Sequence, residues 1–457
     1  MPTVSIVSLG CARNEVDSEE LAATFASEGF DLLPASAEAD VVVVNTCGFI
    51  EAAKSESIDE ILSASGATRS GKKPVVVAAG CMAQRYGQEL AASLPEADAV
   101  IGFDGYDSIA DTVRRILAGG SVPAHEPGDR RRLLPLTPVD RPTAQATPPW
   151  ATTQRRRLTS APSAPLKIAS GCDRRCAFCA IPSFRGSFRS RLPQDIRSEA
   201  LWLASQSVKE LFLVSENTTS YGKDLPDTDL ETVLSDLSRI DHIEWIRLSY
   251  LQPAELKPSV IHAIASTRKV VPYFDLPFQH ASATVLRRMR RFGDAQSFLD
   301  LLERVRTEAP DAGIRTNVIV GFPGETEEDV DLLKQFLGEA RLDAVGVFPY
   351  SDEEGTEGAS LDRHLDEAEI SARASDVASF ADTVTSMRAE ERVGEEVAVL
   401  IESVEEDQFV GRSEQQGPED ARSYIQGVSA ATSRLKVGQI VEGTVVDTVG
   451  VDWYIGL

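Results

Sequence analysis

Three β-rich segments near the N-terminus each end on a cysteine, and this repetition limits the possible folds more than any other feature. The segments VSIVSLGC, DVVVVNTC and PVVVAAGC end at Cys11, Cys47 and Cys81. Helical patterns separate them, which is typical of a parallel α/β sheet whose strand ends share one edge, so the three thiols are predicted to converge. The first helix is expected to begin near Asp17 and Ser18, with its positive end towards the thiols. The alternative is three small buried residues at strand ends, because cysteine is often buried.

A second group of three cysteines lies in the segment GCDRRCAFCAIPSFRG, residues 171–186. Cys172, Cys176 and Cys179 have the spacing C-x3-C-x2-C and follow an apolar run. Structural zinc normally takes four protein ligands, so a metal held by three cysteines keeps a position for another group. Thiolates suit iron-sulfur clusters, and a 4Fe-4S cube with one iron free of protein could bind and reduce a small molecule. We therefore predict that these three cysteines are catalytic.

Composition and charge indicate a globular protein of several domains. The chain has 457 residues, and no apolar stretch is long enough to span a bilayer. The N-terminus lacks the basic start and long apolar centre of a secretory signal, so we expect a cytoplasmic location, where reduced cysteines favour metal ligation over disulfides. A net charge of −25 disfavours nucleic acid phosphates and favours a basic protein partner, with acidity for solubility as an equal alternative.

The patterns divide the chain into an α/β domain (1–118), a linker (119–165), a second α/β domain (166–392) and a small β domain (393–457). The linker is rich in proline, and its arginines, Arg130 to Arg132 and Arg155 to Arg157, are interpreted as a solvated charge run, with substrate contact as the alternative. The last domain reads as a small antiparallel β-barrel. It carries twelve acidic and four basic residues, which makes a poor surface for RNA.

The second α/β domain contains six strand-helix units, which predict an incomplete β/α barrel. Its strands are LKIAS, ELFLVS, EWIRLSY, YFDLPF, IRTNVIVGFP and AVGVFPYS. Chemistry in such a barrel lies at the carboxyl ends of the strands, and Cys172 follows the first strand at that position. His280 is interpreted as a hydrogen-bonded packing residue, with a base as the alternative. The run LRRMRRF, residues 286–292, is interpreted as a solvated helix face, with binding of a carboxylate as the alternative. The turn GFPGE marks either a binding loop or the start of a helix near Thr326.

The C-x3-C-x2-C segment, with Phe178 before its third cysteine, resembles the radical S-adenosylmethionine superfamily. Together with GCARNEVDSEE, NTCGFI, AAGCMAQRY and VIVGFPGET, it resembles the methylthiotransferase family over essentially the whole chain. The resemblance implies a methylthiotransferase domain, a radical S-adenosylmethionine domain and a TRAM domain, in that order. It also implies two 4Fe-4S clusters, a radical-generating one on Cys172, Cys176 and Cys179 and a sulfur-donating one on Cys11, Cys47 and Cys81.

The protein must also hold S-adenosylmethionine, and polar residues at barrel strand ends are the candidates. These candidates are Ser215, Glu216, Asn217, Arg247, Gln279 and Gly321. In the mechanism that the resemblance implies, one S-adenosylmethionine methylates sulfur at the second cluster and another yields a radical that abstracts hydrogen from the substrate carbon. A radical is required because such a C–H bond has no acidic proton. An electron donor such as flavodoxin or ferredoxin is implied.

Two segments, FPYSDEEGT and RLSYLQPAEL, resemble the branch of the family that modifies the β-carbon of an aspartate in ribosomal protein S twelve. The acidic terminal barrel suits such a basic protein substrate, and we do not expect transfer RNA to bind. The first alternative is the branch that modifies adenosine in transfer RNA. The second is a metal-storing or electron-carrying protein without turnover, and a zinc-stabilised RNA-binding module is disfavoured by the charge.

Overall fold

The computed structural model describes residues 1–35, 39–66, 73–133, 155–429 and 434–457. Most of the proline-rich part of the predicted linker, residues 134–154, lies outside the described residues. Within the described ranges, no helix combines the length and apolar composition that crossing a bilayer requires.

Five parallel strands form the N-terminal sheet, in the order β2-β1-β3-β4-β5. The elements are β1 (Thr3–Ser8), α1 (Ala12–Ser27), β2 (Asp31–Leu33), β3 (Val41–Thr46), α2 (Glu51–Gly66), β4 (Val75–Ala79), α3 (Gly80–Ser93), β5 (Ala99–Ile101) and α4 (Ile109–Leu117). Val43 packs with α1 and α4 on one face, whereas Val42 and Val44 pack with α2 and α3 on the other. Because both faces are covered, β3 and β4 are continuous apolar runs.

The predicted start of the first helix was wrong. Helix α1 begins at Ala12, directly after Cys11, and Asp17 and Ser18 are buried inside it. Its polar residues face another domain rather than solvent, so the helix lacks the apolar stripe that marks a surface helix.

Six parallel strands form the second domain, as predicted. They make two three-stranded sheets, β6-β9-β10 and β11-β12-β13, which meet where Ile246 bridges Val270. The elements are β6 (Ser163–Lys167), β7 (Ala169–Ser170), α5 (Ile181–Arg185), β8 (Arg189–Ser190), α6 (Pro193–Ser205), β9 (Glu210–Val214), α7 (Leu230–Leu237), β10 (Trp245–Leu248), α8 (Pro258–Ser266), β11 (Tyr273–Asp275), α9 (Ala283–Arg288), α10 (Ala295–Glu308), β12 (Gly313–Val320), α11 (Glu327–Ala340) and β13 (Ala344–Pro349). Thr326 caps α11, so the GFPGE turn leads into a helix.

A long helix, α12 (Glu367–Glu391), leads to the terminal barrel. This closed barrel has the strand order β14-β15-β16-β18-β17. Its strands are β14 (Glu396–Glu405), β15 (Gln408–Ser413), β16 (Ser423–Gln426), β17 (Ile440–Val449) and β18 (Asp452–Gly456). The predicted small barrel is confirmed. It differs from the prediction at one point, since β16 and β18, which close the barrel, pair in parallel rather than antiparallel.

The described end of the predicted linker, residues 155–165, is partly packed against the two domains, although Arg156 and residues 158–161 are exposed. Strand β6 begins at Ser163, inside that segment. Arg155 is 4% exposed and lies between Glu19 of α1 and Glu199 of α6, at 3.3 and 3.1 Å. The interpretation of Arg155 to Arg157 as a solvated charge run is therefore wrong for Arg155, which pairs two carboxylates at the contact between the first two domains.

Candidate functional site

The three N-terminal cysteines lie where strands β1, β3 and β4 lead into the following segments. Cys11 is the N-cap of α1, Cys47 follows β3 directly, and Cys81 is the second residue of α3. Thr46 and Gly80 bridge in parallel next to them. Each of the three thiols lies close enough to interact electrostatically with the other two. The sheet edge therefore brings together residues that are far apart in the sequence.

Asn14 organises this edge. Its Nδ2 donates to the carbonyls of Leu9 and Thr46, both at 3.0 Å, and its Oδ1 accepts from the Cys81 thiol at 3.5 Å. Gly10 lies so close to Cys47 that an added Cβ would stand 2.9 Å from the Cys47 sulfur. The loop after β1 thus packs directly against the other two strand ends.

The second group of cysteines lies on the loop between β7 and α5. The Cys172 amide donates to the Gly186 carbonyl at 3.0 Å, and the Cys179 amide donates to the Cys176 carbonyl at 3.2 Å. Ala177 joins this loop to the barrel, because its amide donates to the Met289 carbonyl at 3.0 Å. The loop is therefore held by its own backbone and by the barrel beside it.

Burial dominates the acidity of these thiols. It raises the pKa of Cys81 and of Cys172 to about 12, and it raises the pKa of Cys47 and of Cys179 as well. The neighbouring thiols add to each shift, since a second thiolate nearby is unfavourable. Metal ligation would remove these protons, so cluster binding releases acid.

Each group supplies three thiols, the donor type that iron-sulfur clusters take. Cys47 and Cys81 are buried, whereas the other four cysteines are partly exposed. A four-iron cube attaches each cysteine to a different iron, so three cysteines leave one iron without a protein ligand.

Two arginines reach the cysteines, and the sequence analysis missed both. Arg185, at the end of α5, donates from Nη2 to the Cys81 sulfur at 3.2 Å. Arg291 is 8% exposed and donates from Nη1 towards the Cys176 sulfur at 3.8 Å. The interpretation of LRRMRRF as a solvated helix face is therefore wrong for Arg291. The sequence signal that could have identified Arg185 was its position within the segment GCDRRCAFCAIPSFRG, which carries the second group of cysteines.

Three of the predicted cofactor-binding residues lie together after β9. The Glu216 carboxylate accepts from the Gly171 amide at 2.9 Å and pairs with Arg13 at 3.4 Å. The Ser215 carbonyl also accepts from Arg13, at 2.9 Å. Asn217 donates to Glu255 at 3.2 Å. These residues stand beside the cysteine loop, and part of their hydrogen-bonding capacity connects the barrel to the N-terminal domain.

The other three differ from one another. Gln279 has a left-handed backbone, φ 73°, and pairs with β12 at the barrel edge. The Gly321 amide donates to Glu325, and an added Cβ there would meet Ile370 of α12 at 2.7 Å. Arg247 does not lie at the edge, which corrects the expectation of a cofactor contact. It is fully buried and binds Glu210 at 2.6 Å and the terminal barrel.

His280 is fully buried, as expected of a packing residue. Its Nδ1 accepts from the Ser282 amide at 2.9 Å, and its Nε2 lies 3.4 Å from Glu325. Glu325 also pairs with Arg373 of α12 at 3.1 Å. The contacts of His280, Glu325 and Arg373 hold α12 against the barrel.

A small pocket lies where all three domains meet. Its lining includes Cys11, Arg13, Tyr250, Asp275, Arg315 and Asp420. Tyr250 stacks on the Arg13 guanidinium at 4.7 Å. Asp420 of the terminal barrel binds Arg315 at 2.6 Å. Cys11 thus borders a pocket whose other walls come from the barrel and the terminal domain.

Comparisons with known proteins match two parts of the chain to family models. The model of the Uncharacterized protein family UPF0004 matches residues 3–102, and that of the Radical SAM superfamily matches residues 166–337. The ribosomal protein uS12 methylthiotransferase RimO of Cutibacterium acnes is 56% identical, with 98% of this chain and 97% of the relative covered. The protein of the same name from Saccharopolyspora erythraea is 55% identical, with 98% and 94% covered.

Solved structures show the same fold at low identity. The radical S-adenosylmethionine methyltransferase TsrM from Kitasatospora setae, with cobalamin and a 4Fe-4S cluster bound, matches with a TM-score of 0.52 at 15% identity. The match covers 77% of this chain and 76% of TsrM. At this identity the likeness shows the shared architecture alone.

Proposed function

Because the chain belongs to the family of ribosomal protein uS12 methylthiotransferases, we propose that it adds a methylthio group to the β-carbon of an aspartate in uS12. It is a radical S-adenosylmethionine enzyme that uses 4Fe-4S clusters. The observation that carries the proposal is 56% identity to such a relative over 98% of the chain. A ribosomal protein substrate implies that the enzyme works in the cytoplasm.

Each cysteine group would hold a cluster with a separate role. Cys172, Cys176 and Cys179 would hold the cluster that generates the radical, and Cys11, Cys47 and Cys81 would hold the cluster that supplies sulfur. When bound, the first cluster supplies the electron that cleaves S-adenosylmethionine to methionine and a 5′-deoxyadenosyl radical. The reaction needs this chemistry because the β-carbon has no acidic proton.

The protein's own residues position the reactants and exclude water. Ser215, Glu216, Asn217 and Gln279 stand at strand ends beside the cysteine loop and would contact S-adenosylmethionine, with Gly321 at the next strand end. Cys11 lines the pocket between the three domains, which supports a sulfur-donating role for its group beside the space where the substrate would bind. Cys47 and Cys81 are buried, which limits the access of solvent to the N-terminal site.

The electrostatics of the chain support a basic protein as substrate. The net charge is −25, and the terminal barrel carries twelve acidic residues against four basic ones. Asp420 of that barrel forms part of the pocket wall. A chain with this net charge attracts a basic ribosomal protein and repels transfer RNA. An external one-electron donor of the flavodoxin or ferredoxin type would reduce the radical-generating cluster.

Anaerobic reconstitution tests the proposal. The reconstituted protein, given S-adenosylmethionine and a reductant, is expected to methylthiolate an aspartate of purified uS12 and to leave transfer RNA unmodified, as read by mass spectrometry. A matching analysis of a deletion strain should show unmodified uS12 with intact transfer RNA. Loss of only the transfer RNA modification would reject uS12 as the substrate. Absence of any reductive cleavage of S-adenosylmethionine would indicate a metal-binding protein without turnover.

A further inference from the structure

Arg185 belongs to the radical-generating loop by sequence but contacts the other cysteine group. It ends α5, the helix that begins two residues after Cys179. The carbonyl of the next residue, Gly186, accepts the Cys172 amide at 3.0 Å. A shift of this loop backbone therefore moves the Arg185 side chain.

The Arg185 guanidinium makes several contacts in the N-terminal domain. It donates to the Cys81 sulfur at 3.2 Å and to Asn14 Oδ1 at 2.7 Å, and it pairs with Asp17 at 2.8 Å. The ring of Phe103 lies beneath it at 4.7 Å. These contacts hold its position from several directions, and the side chain is 7% exposed.

The surrounding charges keep this arginine charged. The buried guanidinium pairs with Asp17 at 2.8 Å and lies 4.0 Å from Glu216, so two carboxylates offset the cost of burying its charge. Burial also opposes ionisation of Asp17, yet Arg185 and Lys167 outweigh it and lower the pKa of Asp17. A fixed positive charge thus stands beside the sulfur of Cys81 in a site of low dielectric.

We propose that Arg185 is a positioning residue shared by the two metal sites, which raises the reduction potential of the N-terminal cluster through its contact with Cys81 and ties that cluster to the radical-generating loop. Hydrogen bonds and positive charge at a cluster's sulfurs stabilise the reduced, more negative state. The tie to the N-terminal site also includes the contact between Arg185 and Asn14, because Asn14 binds the ends of β1 and β3. The inference rests on the proposed presence of a cluster on Cys11, Cys47 and Cys81.

The test uses the full chain with Cys172, Cys176 and Cys179 replaced by alanine, so that only the N-terminal cluster remains. Iron content and the midpoint potential from an EPR-monitored redox titration are measured in this background with Arg185→Gln and Arg185→Lys. Lys167→Gln is the matched control, because it removes one positive charge that, like that of Arg185, pairs with Asp17.

Arg185→Gln is expected to shift the potential to a more negative value, Arg185→Lys to shift it less, and Lys167→Gln to leave it unchanged. If Arg185→Gln binds no iron, the inference is tested by whether the potential of Arg185→Lys is more negative than that of the parent. Equal potentials in the parent and both arginine variants, or an equal shift in Lys167→Gln, would overturn the inference. A parent protein that binds no iron in this background would instead reject the proposed second cluster, so the two failures are distinguishable.

Discussion

The two cysteine groups are assembled differently, one on a single loop and the other at the ends of three strands. Cys172, Cys176 and Cys179 lie on one loop, and hydrogen bonds of that loop's backbone fix them. Cys11, Cys47 and Cys81 come from three strands, and only the order of the parallel sheet makes them neighbours. The first group is therefore a property of local sequence, whereas the second depends on the fold of a whole domain.

The difference extends to the supporting residues. The loop group depends on backbone bonds to the barrel, such as the one from Ala177 to Met289. The strand group depends on buried side chains such as Asn14 and Ser57, and on the close approach of Gly10 to Cys47. Substitutions outside the cysteines should therefore damage the strand group more readily than the loop group.

Removing each cysteine group gives the largest expected effect. Alanine at Cys172, Cys176 and Cys179 should abolish cleavage of S-adenosylmethionine, because no electron can then reach the sulfonium. Alanine at the other three cysteines should remove about half of the bound iron and all methylthiolation, while cleavage continues. Iron assay and quantification of 5′-deoxyadenosine check both results. Continued cleavage without the loop cysteines would invert the assignment.

The close approach at Gly10 predicts the next largest effect. Gly10 has φ +82°, so Gly10→Ala introduces backbone strain of roughly 1–2 kcal/mol and also pushes against Cys47. Loss of iron from the N-terminal site is expected, together with a lower free energy of unfolding.

Gly119→Ala is the control for this variant. Gly119 has φ +83° with no atom within 4 Å of an added Cβ, so its substitution carries the strain without the collision. Denaturant unfolding and iron content distinguish the two variants. Equal iron retention in both would show that the packing at Gly10 does not support the cysteine site.

A smaller effect is expected at Arg291. Arg291→Gln removes a positive charge near Cys176 and should make the potential of the loop cluster more negative, measured with the N-terminal cysteines replaced by alanine. Arg290→Gln is the control, because the neighbouring Arg290 is half-exposed and pairs with Glu357 at 2.7 Å. Equal shifts in both variants would point to net charge rather than to the contact with the sulfur.

The smallest expected effect is an opposite pH dependence of the stability of the two domain interfaces. Burial raises the pKa of Glu20 to about 7 despite Lys167, so the N-terminal interface should lose stability as pH rises from 4.5 to about 7. At the terminal barrel, Arg247 and Arg412 outweigh burial and lower the pKa of Glu210 to about 2, so stability there should fall only as pH drops from 4.5 towards 2.

Hydrogen exchange of α1 and β9 at several pH values resolves these two responses. Glu20→Gln should flatten the response of α1, and Glu210→Gln should weaken the contact between β9 and the terminal barrel at neutral pH. Protection of α1 that increases between pH 5 and 7 would contradict the assignment to Glu20.

Much of the architecture was predictable from local patterns. The six barrel strands and the convergence of Cys11, Cys47 and Cys81 followed from apolar runs and from the geometry of parallel sheets. The start of α1 did not, because its polar residues are buried against another domain. Arg247 was assigned to the wrong surface for a similar reason: its partner Glu210 and the terminal barrel are distant in sequence.

The sequence by itself determined the chemistry of this protein, because cysteine spacing and strand periodicity are local properties that any correct fold must satisfy. Only the tertiary structure decided which charges face the sulfur atoms. Arg185 and Arg291 occur in basic segments that would look the same on a solvated surface, and their contacts with Cys81 and Cys176 exist because separate elements pack together. A contact between distant residues depends on packing, which no single segment encodes.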